Sequence, residues 1–270
     1  MIDSKQYLVI DLSNYRQFAA SAPGGLYPQQ ELTEVLQGRT GYLGWQDPNR
    51  PKSFGEPAPL APQTPREQWA ALIQAGAGQS KLLGCNLPAK DQDGLSLCWC
   101  YGSTRAVELL HAGNGETYLE LAPECVDVEC NGGRNEGGYA TEAFTAIEEK
   151  GICLATYLDR PNSLRPRFWK AGWEENALLH RAATWYEIGT DYADVITALL
   201  QDIPVAAGLD WWGHLICYVA PVLLPDGSVG VLFQNSWGAD WPSPGANGYA
   251  ILVESLATPD GAAAPFLKGV

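Results

Sequence analysis

The stretch QDGLSLCWCYGSTRAVELLHAG, residues 92–113, divides into two parts. Gln92 to Leu97 carries Asp, Gly and Ser and reads as a loop. From Cys98 to Gly113 the composition is helical, so Cys98 stands at the start of a predicted helix. N–H groups at a helix start lack intrahelical acceptors and carry partial positive charge. A thiol placed there is shifted towards thiolate, the nucleophilic form. A lone cysteine under a helix also serves as a small apolar filler. What the rest of the chain can bring to Cys98 decides between the two.

The bounds on the rest are broad. The chain has 270 residues, enough for one large domain or two small ones, and 46% of them are hydrophobic, enough for a filled core. No apolar run approaches the ~18 residues that span a bilayer. The start, MIDSKQYLVIDLS, lacks a basic segment followed by a long apolar one, so no secretory signal is read and a cytoplasmic or virion-associated protein is expected. A net charge of -14 argues against nucleic acid or an anionic membrane as partner. Seven cysteines at irregular spacing do not form a disulfide framework and point to a reducing compartment. Gly76 and Gly78 follow a helical segment and lack a third glycine, so they do not make a nucleotide loop. Cys98-x-Cys100 has no second ligand pair at metal spacing. No metal and no cofactor is expected.

Taken in order, residues 1–60 read as an N-terminal extension that can dock on another protein. YLVIDL is its one clear strand, and EVLQGRTGYLGW gives a short element. Prolines at 48, 51, 57, 59, 62 and 65 make an extended linker to about residue 65. Residues 66–270 form the main domain, with a helical half over about 66–165 and a β half over about 166–258. Thr64, Pro65 and Glu67 spell a capping box and first-turn proline for a helix through EQWAALIQA. LAPECVDVECNGGRNEGG reads as a loop, and YATEAFTAIEEKG as a helix stopped by Gly151. Arg165 to Arg181 is expected to be partly helical. ATWYEI, PVAAGLD, His214–Val222, Val229–Gln234 and GYAILVE read as strands, with DYADVITALLQ a helix. Helices first and strands later make an α+β chain.

A thiol that attacks a carbonyl needs a base, a group that orients the base, and donors for the oxyanion. His214 heads one predicted strand and Asn235 ends the next. A hairpin brings such outer ends side by side. Asn235 can then fix the imidazole tautomer and leave the other ring nitrogen for Cys98. Gln92, six residues before Cys98, can join the Cys98 backbone N–H as oxyanion donor.

These residues carry a resemblance. Gln92 with Cys98-Trp99, then Cys130-Asn131-Gly132-Gly133, then Gly213-His214, then Asn235-Ser236-Trp237-Gly238 with Trp241 and Gly248-Tyr249, resemble the papain-like cysteine peptidases in order and spacing over roughly residues 85–254. The resemblance implies a papain-like fold, with the nucleophile helix of a helical half packed on an antiparallel, barrel-like β half. It implies Cys98 as nucleophile, His214 as base, Asn235 as orienting residue and Gln92 as oxyanion donor. Trp237 is similar to the indole that shields the Asn–His bond, and Gly132 and Gly133 to the backbone that pairs with an extended polypeptide substrate. Trp99 and Trp212 join the expected substrate-binding set.

There are departures. Leu95 stands where the family has a cysteine bridged to the one in CNGG, so Cys130 lacks that partner. Ser96-Leu97 replaces the usual Gly-Ser. Only WWG separates PVAAGLD from His214, where the family has a longer loop that walls the substrate pocket. Residues 1–60 lack the charged helical signature of the family's inhibitory segment. Three functions follow: a peptidase working through a thioester acyl-enzyme, a structural or binding subunit of a bacteriophage or bacterial assembly without turnover, and an acyltransferase to amines.

Overall fold

The computed structural model describes residues 2–20, 42–44, 62–79, 81–181 and 184–266. Most of the proline-rich linker lies outside them. In chain order the elements are β1 (Val9–Ile10), α1 (Tyr15–Ala20), β2 (Tyr42–Gly44), α2 (Arg66–Gln74), α3 (Lys81–Gly84), α4 (Cys98–Gly113), α5 (Pro123–Asn131), β3 (Gly138–Tyr139) and α6 (Ala140–Glu149). There follow α7 (Trp173–Ala177), β4 (Thr184–Glu187), α8 (Tyr192–Leu200), β5 (Val205–Leu209), β6 (His214–Leu223), β7 (Val229–Gln234), β8 (Tyr249–Leu252), α9 (Glu254–Ala257) and β9 (Gly261–Phe266). Short 3-10 turns at Pro166–Phe168 and Leu178–His180 flank α7, so the Arg165–Arg181 segment is partly helical.

One sheet in the order β1-β8-β7-β6-β5-β9-β4 divides the molecule. Its pairs are antiparallel except β1 with β8. Side chains alternate across a strand, and β6 follows this rule. Leu215, Cys217 and Val219 enter the core shared with α4, α5 and α6, while Ile216 and Tyr218 enter the core beneath α2 and α8. A shift of register between Tyr218 and Ala220 then turns Ala220 and Val222 to the α4 side. Both faces of the sheet are therefore covered, which explains the nearly unbroken apolar run of β6. Among the described residues no helix is long and apolar enough to cross a membrane.

Several local expectations change. The segment read as a loop contains α5, with Pro123 in its first turn and Gly132 as a left-handed cap at φ 65°. Cys125 and Val126 bury one face of it, and this packing outweighs the glycine- and acid-rich composition. The Thr64 capping box does not form. α2 starts after Pro65 with no side-chain cap. The Thr64 N–H bonds Thr197 Oγ1 at 2.9 Å and its carbonyl accepts from Trp69 Nε1 at 2.8 Å, so tertiary contacts replace the local cap. β9 extends the sheet beyond the expected strands. The first residues of the expected extension also enter the fold: β1 adds an edge strand and Ile10 is fully buried.

Candidate active site

The site begins with why α4 lies on β6. At Gly102, one helical turn beyond Cys98, an added Cβ would stand 2.4 Å from Leu215 Cδ2 and 3.0 Å from the Leu215 carbonyl oxygen. Only glycine permits that approach. It brings the start of α4 to the start of β6, where His214 precedes Leu215. Cys98 and His214 are both fully buried. The residue before the helix, Leu97, has no side chain that can cap it.

The β6–β7 pair brings His214 and Asn235 together, and His214 Nε2 lies 2.7 Å from Asn235 Oδ1. A second bond fixes the chemistry. The Ser236 backbone N–H donates to the same Oδ1 at 2.8 Å, so that atom must be an acceptor. His214 therefore carries its proton on Nε2 and a lone pair on Nδ1. Nδ1 is buried and has no hydrogen-bond partner among the described residues. Burial without a counter-charge pushes the imidazole down to about 4, and the bond to Asn235 opposes this only in part. The ring is neutral at pH 7, in the form that accepts a proton.

Gln92 is stitched to the same corner. Its N–H bonds the Ser236 carbonyl at 2.9 Å and its Oε1 accepts from Ser236 Oγ at 2.6 Å. Its Nε2 donates to the Leu95 carbonyl at 2.6 Å. One residue earlier, Asp91 forms an isolated antiparallel bridge with Trp237. Beneath it the Lys90 ammonium is buried, 2.9 Å from Glu108 on α4 and 2.7 Å from the Leu121 carbonyl. Arg105 meets the other Glu108 oxygen at 3.1 Å. These charges clamp the Gln92 loop onto the helix that Cys98 opens. Sequence reading gave Ser236 no role and missed Lys90, Arg105 and Glu108. The i,i+3 spacing of Arg105 and Glu108 was the available sign.

The expected substrate-binding residues fall in different places. Gly133 sits with φ 75° against the Leu164 carbonyl, and Gly132 ends α5. A short strand, β3 at Gly138–Tyr139, follows six residues after Gly132 and pairs parallel with β2. Gly138 lies on the ring of Trp99, which is fully buried. Asn135 Oδ1 accepts the Ser96 N–H at 2.6 Å and ties this loop to the residues before Cys98. Trp237 lies 4.8 Å from the imidazole at 31°, over the Asn–His pair. Trp212 is buried among aromatic rings behind His214.

No family model and no curated protein sequence matches the chain. Solved structures do. Digestive procathepsin L 3 of Tenebrio molitor larval midgut superposes with a TM-score of 0.61 at 17% identity, covering 94% of this chain and 86% of that one. Bromelain from Ananas comosus, solved with the E64 inhibitor, gives 0.57 at 15% identity over 69% of this chain and 96% of that one. The proform of the ragweed pollen cysteine protease Amb a 11 gives 0.53 at 18%, over 67% of this chain and 62% of that one. The fold is that of the papain-like cysteine proteases. Within it Cys98 opens α4, His214 starts β6, Asn235 directly follows β7, and Gln92 lies in the loop before α4.

Proposed function

We propose that the chain is a cysteine peptidase. The observation that carries this is the buried His214–Asn235 pair, its tautomer fixed by Ser236 and its Nδ1 lone pair left as an acceptor at the end of β6 nearest the start of α4. Cys98 Sγ attacks the scissile carbonyl carbon and its proton passes to His214 Nδ1. The N–H groups at the head of α4 and the Gln92 carboxamide hold the oxyanion. His214 returns the proton to the leaving amine. Water, deprotonated by the same nitrogen, then releases the acyl group from the thioester. The substrate is a polypeptide.

Mass spectrometry after treatment with an epoxide or chloromethylketone tests this. Modification is expected at Cys98 and is lost in His214→Gln. An unmodified Cys98 in folded protein sinks the reading. A binding subunit without turnover is the second reading, favoured by the complete burial of Cys98 and His214. A Cys98→Ala protein that kept the whole biological effect would select it.

A further inference from the structure

Leu209 and His214 face each other across β5 and β6, so the connection is the four residues Asp210-Trp211-Trp212-Gly213. Gly213 takes φ 59°, a left-handed conformation that favours glycine. The Trp212 N–H bonds the Leu209 carbonyl at 3.0 Å and the Gly213 N–H bonds the Asp210 carbonyl at 3.1 Å. This tight turn separates two adjacent indoles. Trp211 stays partly exposed, stacked on Trp212 at 5.2 Å with its Nε1 bonded to the Leu256 carbonyl. Trp212 goes inside and is 1% exposed.

There its ring centre lies 5.0 Å from the His214 imidazole at 63°. It also meets Trp237 at 5.6 Å and Phe233 at 5.9 Å, both edge-on. Trp237 and Trp212 therefore both pack on the imidazole. We propose that Trp212 is a positioning residue for His214: it closes the pocket behind the imidazole, holds the ring in line with Asn235 and keeps water from the Nε2–Oδ1 bond. This rests on the reading of His214 as the base. The short WWG connection supplies an inner wall for the base.

Among the described residues, burial and the bond to Asn235 act on the imidazole, and no charged side chain shifts it. Asn235 and the two indoles are uncharged, and Cys98, Cys100 and Tyr101 are the titratable groups in the first turn of the helix packed on β6. Asp210 and Asp260 at the hairpin end are exposed, and the Asp210 N–H bonds the Asp260 carboxylate. Replacing the indole with a smaller apolar group admits water to the imidazole. The ring then turns more freely and takes up a proton at higher pH.

The test uses the full chain and iodoacetamide, with Cys98 alkylation followed by mass spectrometry across pH 4–9. In Trp212→Leu the acid limb of the profile is expected to move up by about one pH unit, a change matching the loss of one aromatic contact. Trp212→Phe keeps a ring and keeps the wild-type limb. Trp211→Leu, on the outer side of the same turn, leaves the limb in place. The His214 Nε2 proton, observed by nitrogen-edited NMR, exchanges with water faster in Trp212→Leu. A Trp212→Leu limb and exchange rate equal to those of the wild type overturn the proposal. If Trp212→Leu does not fold, loss of the wild-type limb in folded Trp212→Phe overturns it instead. His214→Gln separates the two ideas: if it leaves acid-range alkylation unchanged, the assignment of the base fails.

Discussion

His214 links chemistry to stability through one proton. Burial holds its folded value near 4, below the 6.5 of a free imidazole, so the unfolded chain binds the proton more readily. Its contribution to stability is complete above about pH 6.5 and is lost as pH falls towards 4, on the order of 3 kcal/mol at the acid end. Denaturation at pH 7 and at pH 4.5 should therefore show a smaller acid loss in His214→Gln than in the wild type, because other acid-labile groups are common to both. Asn235 is the second residue to test. Alanine there removes the acceptor shared by His214 and Ser236 and frees the imidazole to rotate. Hydrolysis of a fluorogenic peptide should fall about 100-fold, the scale set by a misplaced catalytic group. Glu108 is the buried counter-charge to Lys90 and Arg105. Glu108→Gln leaves the ammonium of Lys90 and the guanidinium of Arg105 buried without their carboxylate. The expected cost is about 3–5 kcal/mol, read from the midpoint of urea unfolding.

The contact of α4 with β6 is the element on which the site depends, and Gly102 tests it. Alanine would stand 2.4 Å from a Leu215 methyl, which can swing away, and 3.0 Å from the Leu215 carbonyl oxygen, which cannot. The helix must lift, at about 1–3 kcal/mol, and Cys98 at its head moves from the His214 end of β6. Gly102→Ala should react more slowly with an epoxide probe while keeping its helical circular dichroism. This also shows what the sequence could and could not convey. Cys98–Gly113 was legible because a loop ends and helix formers begin at one point, and β6 and β7 were legible because Asp226-Gly227 marks their turn. Gln92, Cys98, His214 and Asn235 were legible as an ordered set of residue types. α5 was hidden because its helix is held by the burial of Cys125 and Val126 inside a glycine- and acid-rich run. β9, GAAAPF, was hidden because small residues and proline have little intrinsic strand preference, and pairing with β4 and β5 creates the strand.

At the scale of the whole molecule, the two cores on either side of the sheet draw residues from well before Cys98. Ile10 and Ile73 are fully buried and Trp69 is 2% exposed, all in the core beneath α2 and α8. The Ile251 N–H bonds the Leu8 carbonyl at 2.9 Å and the Val253 N–H bonds the Ile10 carbonyl at 3.2 Å, so β1 completes the edge of β8. Tyr15 lies edge-on to Trp211 at 5.6 Å, which places α1 against the hairpin that leads to His214. A segment that is only tethered to a finished domain contributes little to that domain's unfolding. A segment that fills its core contributes in proportion to the apolar volume it supplies. Ile10→Ala should then cost about 3 kcal/mol, as for other large-to-small core changes. In a chain of this size that corresponds to a fall in Tm of about 6–12 °C. Differential scanning calorimetry of the full chain gives the answer, with Leu12→Ala, at an exposed position two residues further on, as control. Equal Tm values for the two variants would mean that β1 is an accessory strand, and a fall confined to Ile10→Ala would make the N-terminal residues part of the fold that holds His214 in place.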